Sequence, residues 1–493
     1  MNLEIPDIPI AALFPEIALV TVAAVLIFLQ RPFARAHKNA LSSIAFISVA
    51  ATLGYVTSLW NFPKTDFVRY FLIDNYAVFF KSVLLTISAL TILISKRFLM
   101  MENAERGEFY GLLLLASAGM LVMASGADLL TIYLGLETMA IASYILAAYF
   151  RSDERSSEAG IKYFLLGALN SGIILYGMAL LYGATGSLNL SEIHQAVSGI
   201  SDPGGLRLLY FATALLVAGF SFKIAAVPFH MWAPDVYEGA PTPVSAFLSA
   251  GSKTASLAVI IRLFVAVLSP LTELWQLWIA YISGLTMIVG NIAALRQTNV
   301  KRMLAYSSIA QVGYMLIGLS SGTEMGSSAV LMYAFVYLFA NIGLFASLIV
   351  LSREGEAKES VSDFSGLARR HPLFAFAITI FLLSLTGIPP TGGFIGKFYL
   401  FMSAVRAGYL KLAIIGVLAS VISLFYYMRI VMAMYMEKEN TLEKIPLRPS
   451  VSLGYAFSLM VFAIVIIGIY PGPLLDLANA SFSSLGTGIH TIL

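Results

Sequence analysis

GFSFKIAAVPFHMWAPDVYEGAPTPV, residues 219–244, sets a cation inside an apolar run and a helix breaker shortly after it. Lys223 comes first and Pro228 follows. The run 207–229 that leads into the stretch has the length that spans a bilayer, about 20 predominantly apolar residues. A lysine at that depth costs at least ~2.5–3.5 kcal/mol on insertion scales, so something must repay it. Pro228 removes one helix hydrogen bond and presses on the carbonyl one turn earlier, that of Ile224. A carbonyl released in this way accepts from an ammonium or a water. The stretch therefore predicts an interrupted membrane helix with a charged group at the interruption.

The rest of the chain supplies the membrane setting. Of 493 residues, 59% are hydrophobic and 12% charged, against about a quarter charged in a soluble domain. Fourteen apolar runs are legible, at 12–30, 41–60, 75–95, 109–126, 128–149, 160–183, 207–229, 243–268, 274–295, 302–320, 328–351, 373–400, 408–435 and 452–470. They predict an all-α polytopic membrane protein, a single transmembrane domain over 1–493 with about 14 transmembrane helices. The longest connections, 185–206, 352–372 and 436–451, leave no room for a soluble domain, and the first is expected to carry a short amphipathic segment. Cysteine is absent, which excludes disulfides, thiol catalysis and cysteine-held iron–sulfur clusters in this chain. The net charge is +3 with no basic block, so no nucleic-acid partner is indicated. The start, MNLEIPDIPI, carries Glu4 and Asp7 and no base. A cleavable signal peptide begins positive, so the first run reads as a retained helix.

Lysine and arginine set the orientation. Arg31, Arg35, Lys38, Lys96, Arg97, Arg106, Arg151, Arg155, Lys162, Arg296, Lys301, Arg302, Arg353, Lys358, Arg369, Arg370, Lys438, Lys444 and Arg448 follow the odd-numbered runs from the first to the thirteenth, the seventh apart, and fall on one side. The other side holds Lys64, Arg69, Arg207, Arg406 and Lys411. The rich side is cytoplasmic, and both termini are expected on the opposite one.

Six bases remain within or at the ends of runs. Arg262 and Arg429 lie toward run ends, where long side chains snorkel to the interface. Lys81 is about two turns into its helix. Lys223, Lys253 and Lys397 are deep, and Glu137, in TIYLGLETMAI, reads as the one equally deep carboxylate. The plain reading of any one of them is a structural pin bonded to backbone carbonyls. Together they read as an ion or proton path, because intramembrane ionisable groups mark such paths. A transporter of organic solutes would show a polar or aromatic cluster at a helix break instead. Lys253 lies among small residues, Ser249 to Ala255, which suit either a hydrated pocket or close helix packing. His230 suits a proton relay or a helix cap. Asp235, Glu238, Pro241 and Pro243 read as a tight, mainly structural cytoplasmic turn.

A second interruption is legible in LLSLTGIPPTGGFIGKF, residues 382–398, with Lys397 just beyond it. The two interrupted spans are the seventh and twelfth, an odd number apart, so equivalent helices run in opposite directions. That spacing predicts an inverted repeat of five helices, spans 4–8 (109–268) against spans 9–13 (274–435).

PFHMWAPDVYEGAPTPVSAFLSAGSK (228–253), TNVKRMLAYSSIAQVGY (298–314) and GIPPTGGFIGKF (387–398) together resemble the antiporter-like membrane subunits of proton-pumping NADH–quinone oxidoreductase, respiratory complex I. The resemblance runs over essentially the whole chain. Lys397, where subunit M would carry a glutamate, the wording APDVYEGAPTPV, and the lack of a long lateral helix after span fourteen set the chain apart from the L and M paralogues. The resemblance implies a translocase subunit in which Glu137 pairs with Lys223, Lys253 centres a hydrated axis, and Lys397 lies toward its exit. It implies that NADH, FMN, iron–sulfur clusters and quinone belong to partner subunits, with no cofactor or metal here. The expected partners are subunits L, M, J and K and the lipid bilayer, in an energy-transducing membrane such as the bacterial inner membrane. One departure stands out: Gln311 occupies the position where many relatives carry histidine, and a glutamine does not titrate. Two other readings remain open, a subunit of a multisubunit Na⁺/H⁺ antiporter and a non-conducting spacer of the membrane arm.

Overall fold

The computed structural model describes residues 10–28, 40–62, 70–352, 357–437 and 451–490. Every one of the fourteen apolar runs falls on a helix or on a run of helical segments. In order these are Ile10–Phe28, Ala40–Ser58, Asn75–Met101, Gly107–Ser125, Leu129–Ala147, Glu154–Thr185, Pro203–Lys223, Thr242–Val267, Thr272–Leu295, Val300–Ser320, Glu324–Leu351, the pair Pro372–Thr386 and Gly392–Arg406, Leu410–Met436 and Val451–Ile469. Twelve helices among the described residues are long and apolar enough to cross a membrane, and the apolar helices Ala12–Phe28 and Pro372–Thr386 are shorter. This is a multi-pass helical membrane protein.

Short polar side chains in the loops start these helices. Asp74, Asp128, Asn189, Asp202 and Asn299 each accept from a backbone N–H of the first turn, satisfying donors that the helix itself leaves orphaned. The expected amphipathic segment in 185–206 is the helix Leu190–Gly199. A further helix, Gly472–His490, follows the last apolar run and was not read from the sequence. It buries Leu474, Ala478, Ser481 and Leu485 along one stripe, and Ser484 Oγ accepts from the Tyr76 N–H.

Two loops repeat one backbone arrangement. Asp128 bridges to Asn189, and Asn299 bridges to Ser360. In the first, Leu129 N–H donates to Leu188 and Leu190 N–H to Ala127; in the second, Val300 N–H donates to Glu359 and Val361 N–H to Thr298. The chain interval between partners is the same in both. Packing repeats with it: a Cβ at Gly119 would lie 2.6 Å from Met139 N, and one at Gly290 would lie 2.8 Å from Ala310 N.

Two expectations about the charged residues need correction. Arg262 does not snorkel. It is 1% exposed and donates to Asp74 Oδ2 at 2.8 Å, Asp74 Oδ1 at 3.1 Å and the Ala124 carbonyl at 3.2 Å. A carboxylate waiting on another helix made burial cheaper than reaching for water. Lys81 is likewise paired, with Glu16 at 2.6 Å, and both are buried. Glu137 is therefore not alone among intramembrane carboxylates, and it is the less buried of the two. Arg31, Arg35, Lys38, Lys64, Arg69, Arg353, Lys438, Lys444 and Arg448 lie outside the described residues, as do Glu4 and Asp7.

Candidate functional site

The seventh span breaks as its sequence suggests. The helix Pro203–Lys223 ends on Lys223, Ala225 takes a left-handed φ of 57°, and a short helix, Trp232–Gly239, resumes after the turn. The end is closed by its own backbone. Ala226 N–H donates to Ser221, Ala225 N–H donates to Phe222, and the Trp232 indole adds a second bond to the Phe222 carbonyl at 3.0 Å. Trp232 is held by a parallel stack on Tyr163, with centroids 4.6 Å apart and planes at 7°. The expected lysine bond to the Ile224 carbonyl does not form, because the helix stops one turn before Pro228 and leaves the ammonium elsewhere. Lys223 is 4% exposed, and among the described residues its Nζ has no protein hydrogen bond and no carboxylate within the 4.0 Å of a direct ion pair. It interacts with Glu137 through space. Glu137 itself is half-buried between the exposed Leu134 and Ile141, and one of its oxygens accepts from Ser171 Oγ.

The second break is capped differently. The helix Pro372–Thr386 ends at Gly387, whose φ of 89° is the left-handed conformation that glycine adopts freely. The next helix begins at Gly392. Here the lysine does take the released carbonyls. Lys397 Nζ donates to Leu385 O at 2.8 Å, Thr386 O at 3.1 Å and Ser420 Oγ at 3.2 Å, and lies 4.0 Å from the Tyr314 ring centroid. Lys223 ends the first half of its broken span, whereas Lys397 belongs to the second half of its own.

Between the breaks, the eighth span is not a uniform helix. It has π turns at Leu248–Ser252 and Ile261–Val267 flanking the helix Lys253–Ile260. The first π turn is the run of small residues that preceded Lys253 in the sequence. The packing reading of that run is visible where Gly251 packs against Met120 and Ile87, while Lys253 Nζ reaches Ser308 Oγ at 2.8 Å and lies 5.7 Å from the Tyr237 ring centroid. Insertions of this kind recur at functional sites. Among the described residues the hydroxyls of Tyr237, Tyr337 and Ser252 are buried with no hydrogen-bond partner, and buried polar groups are as a rule hydrogen-bonded, to protein or to water. Gln311 is fully buried and bonded to Leu385, Tyr427 and Tyr333.

His230 is half-buried in the turn after the first break. Asp235 and Glu238 line an open polar cleft of about 210 Å³ with Arg155, Glu158, Lys162 and Arg302. Lys162 pairs with Glu158 at 2.7 Å and Asp235 at 2.8 Å, and Arg302 pairs with Asp235 at 2.9 Å and Glu238 at 2.7 Å. Burial pushes the Asp235 carboxyl up, but the bonds from Lys162 and Arg302 outweigh it and hold the group below the usual carboxylate range. This network ties the short helix Trp232–Gly239 to two long ones, consistent with a structural role for both acids.

Sequence reasoning missed Trp232, Glu16 and Asp74. Trp232 lay in the quoted stretch, but its indole contact depends on a turn geometry that periodicity does not encode. Glu16 and Asp74 lie near the starts of apolar runs, where position alone does not show that a carboxylate is buried.

Interrupted helices carrying buried lysines make this chain an antiporter-like membrane protein. It belongs to the NADH:quinone oxidoreductase/Mrp antiporter transmembrane family, which matches residues 126–423. The relatives named NADH-quinone oxidoreductase subunit N include that of Trichlorobacter lovleyi, 44% identical over 440 residues, 87% of this chain and 90% of the relative. Subunit N 1 of Solibacter usitatus is 42% identical over 482 residues, 96% of each. A chain of respiratory complex I from Thermus thermophilus is 32% identical with a TM-score of 0.79, over 94% of this chain and 99% of that one. A chain of the Mrp complex from Dietzia shares the fold, with a TM-score of 0.83 at 21% identity over 98% of this chain and 99% of that one.

Proposed function

We propose that this chain is the antiporter-like, proton-translocating membrane-arm subunit of an NADH–quinone oxidoreductase, and that Glu137, Lys223, Lys253 and Lys397 relay the proton. The observation that carries the reading is the state of the three lysines. Lys223, Lys253 and Lys397 are 4%, 2% and 3% exposed, each sits at a break or beside a π turn, and none has a carboxylate in direct contact among the described residues. The structural cations Lys81, Arg262 and Lys301, equally buried, each have one. An ammonium kept in a membrane without a counterion is expensive, and a proton path is what repays it.

The repeated loop bridges support an inverted repeat of 109–268 and 274–435. In that register the position of Glu137 corresponds to Ser308, the hydroxyl that receives Lys253. Each unit would thus present a polar group to a lysine of the first unit, charged in one case and neutral in the other. The three ammonium groups would form a row near mid-membrane. At a spacing of about 8 Å and an effective dielectric of about 20, neighbours repel by ~2 kcal/mol, close to the ~2.3 kcal/mol needed to move one charge against 100 mV. Redox chemistry in partner subunits would disturb the Glu137–Lys223 interaction. Loss of that attraction releases the proton toward Lys253 and then Lys397, through water beside Tyr237, Tyr337 and Ser252. His230 would feed the first lysine. Glu137, on an outward edge, would face the small subunits J and K, with L and M further along the arm, and NADH, FMN, iron–sulfur clusters and quinone would be held by partners. We place the chain in the bacterial inner membrane with both termini non-cytoplasmic.

The test is proton uptake by membrane vesicles measured alongside NADH oxidation. Lys223→Ala and Lys397→Ala should each lower the proton-to-electron ratio while the complex assembles. Normal ratios in both would leave the spacer reading standing, and co-purification without redox subunits would favour a separate antiporter.

A further inference from the structure

Gln311 stands where a titratable residue was expected, and its surroundings give it a different task. A primary amide offers two N–H donors and one acceptor oxygen. Both donors and the acceptor are committed here. Nε2 donates to Leu385 O at 3.0 Å and to the Tyr427 hydroxyl at 3.3 Å, while Oε1 accepts from the Tyr333 hydroxyl. Turning the amide over would set oxygen against the Leu385 carbonyl, acceptor on acceptor, so one orientation is fixed. Tyr427 continues to Ser307 Oγ, one residue from the Ser308 that holds Lys253.

The Leu385 carbonyl is the meeting point. It lies in the last turn before the second break, where the following N–H groups of Gly387 and Ile388 go to Leu383 and Ser384 instead. Its two acceptors' worth of lone pairs are taken by Gln311 and by Lys397. The lysine spends its three N–H bonds on Leu385, Thr386 and Ser420. The Leu385 carbonyl is thus one of three acceptors that set where the ammonium rests, at the shortest of the three distances, and the amide bonds the same oxygen.

We infer that Gln311 is a positioning residue for Lys397, an uncharged clamp on the broken helix whose grip does not change when the lysine gains or loses its proton. The inference rests on the relay reading of Lys397. A histidine in its place would hold the same carbonyl through one ring N–H in either protonation state, but its charge would change with pH. Once protonated, it would set a second cation within about 6 Å of the ammonium, since both donate to one oxygen.

The experiment measures the proton-to-electron ratio of the assembled complex in vesicles between about pH 5.5 and 8.5, centred on the histidine range. Gln311→Leu should lower the ratio about twofold or more at every pH, with quinone reduction retained. Gln311→His should pump normally at the alkaline end and lose the ratio as pH falls, below the free-histidine value of about 6.5 because burial and the nearby ammonium both disfavour the charged ring, a loss beyond any the wild type shows. In a Lys397→Ala background, Gln311→Leu should add nothing. A normal ratio in Gln311→Leu, a flat profile in Gln311→His, or additive losses with Lys397→Ala would overturn the inference. If Gln311→Leu fails to assemble, the Gln311→His profile decides. If Lys397→Ala alone pumps normally, the relay reading fails and takes this inference with it; if only the glutamine variants are silent, the relay stands.

Discussion

Replacing Arg262 with methionine should strand the Asp74 carboxylate inside the protein. The two side chains are 1% and 5% exposed, and the guanidinium meets the carboxylate through two bonds of 2.8 and 3.1 Å. The Tyr76 ring stacks against the guanidinium at 4.8 Å. Removing one partner of a buried pair costs about 3–5 kcal/mol, because the other charge remains desolvated. Asp74 keeps one charge-assisted bond, from the Ala77 N–H at 2.6 Å, so the low end of that range, ~3 kcal/mol, applies. Asp74→Asn preserves the helix cap, since asparagine caps as well as aspartate, but strands the arginine instead. The double variant Asp74→Asn/Arg262→Met carries no buried charge and should recover all but about 1 kcal/mol. The assay is the midpoint of heat-induced loss of this subunit from the purified complex. The expected order is wild type first, the double variant next, and both single variants below it. A double variant less stable than either single one would refute the argument, because the two side chains would then be acting independently.

Trp232→Phe keeps the aromatic stack on Tyr163 and deletes the donor to Phe222 O, at a cost of about 1 kcal/mol for a neutral hydrogen bond. If the indole holds the break that sets Lys223, the proton-to-electron ratio should fall in an assembled complex; an unchanged ratio would mean the backbone closure suffices. Asp235 has a folded-state pKa below its ordinary value, so its contribution is present above about pH 4 and is lost as pH falls through the lower folded value. The cluster is partly exposed, so Asp235→Asn should cost no more than ~1 kcal/mol at pH 7. Wild type should lose more thermal stability than Asp235→Asn between about pH 5 and 3; equal losses would assign the acid response to other carboxylates.

The membrane class, the approximate extents of the helices and both interruptions were legible in the chain itself. Hydropathy encodes a span residue by residue, and Pro228 and the Gly387–Pro390 stretch weaken helical bonding locally through their own backbone chemistry. That Lys223, Lys253 and Lys397 would be buried followed from their distance to the ends of apolar runs. Which groups meet those lysines did not follow. The Leu385 and Thr386 carbonyls that take Lys397, the Ser308 hydroxyl that takes Lys253, and the indole that closes the Lys223 break come from packing between helices far apart in sequence. Arg262 and Lys81 make the same point in reverse. Distance along one helix says how far a charge lies from its end, and only the neighbouring helix says whether a carboxylate is there to receive it.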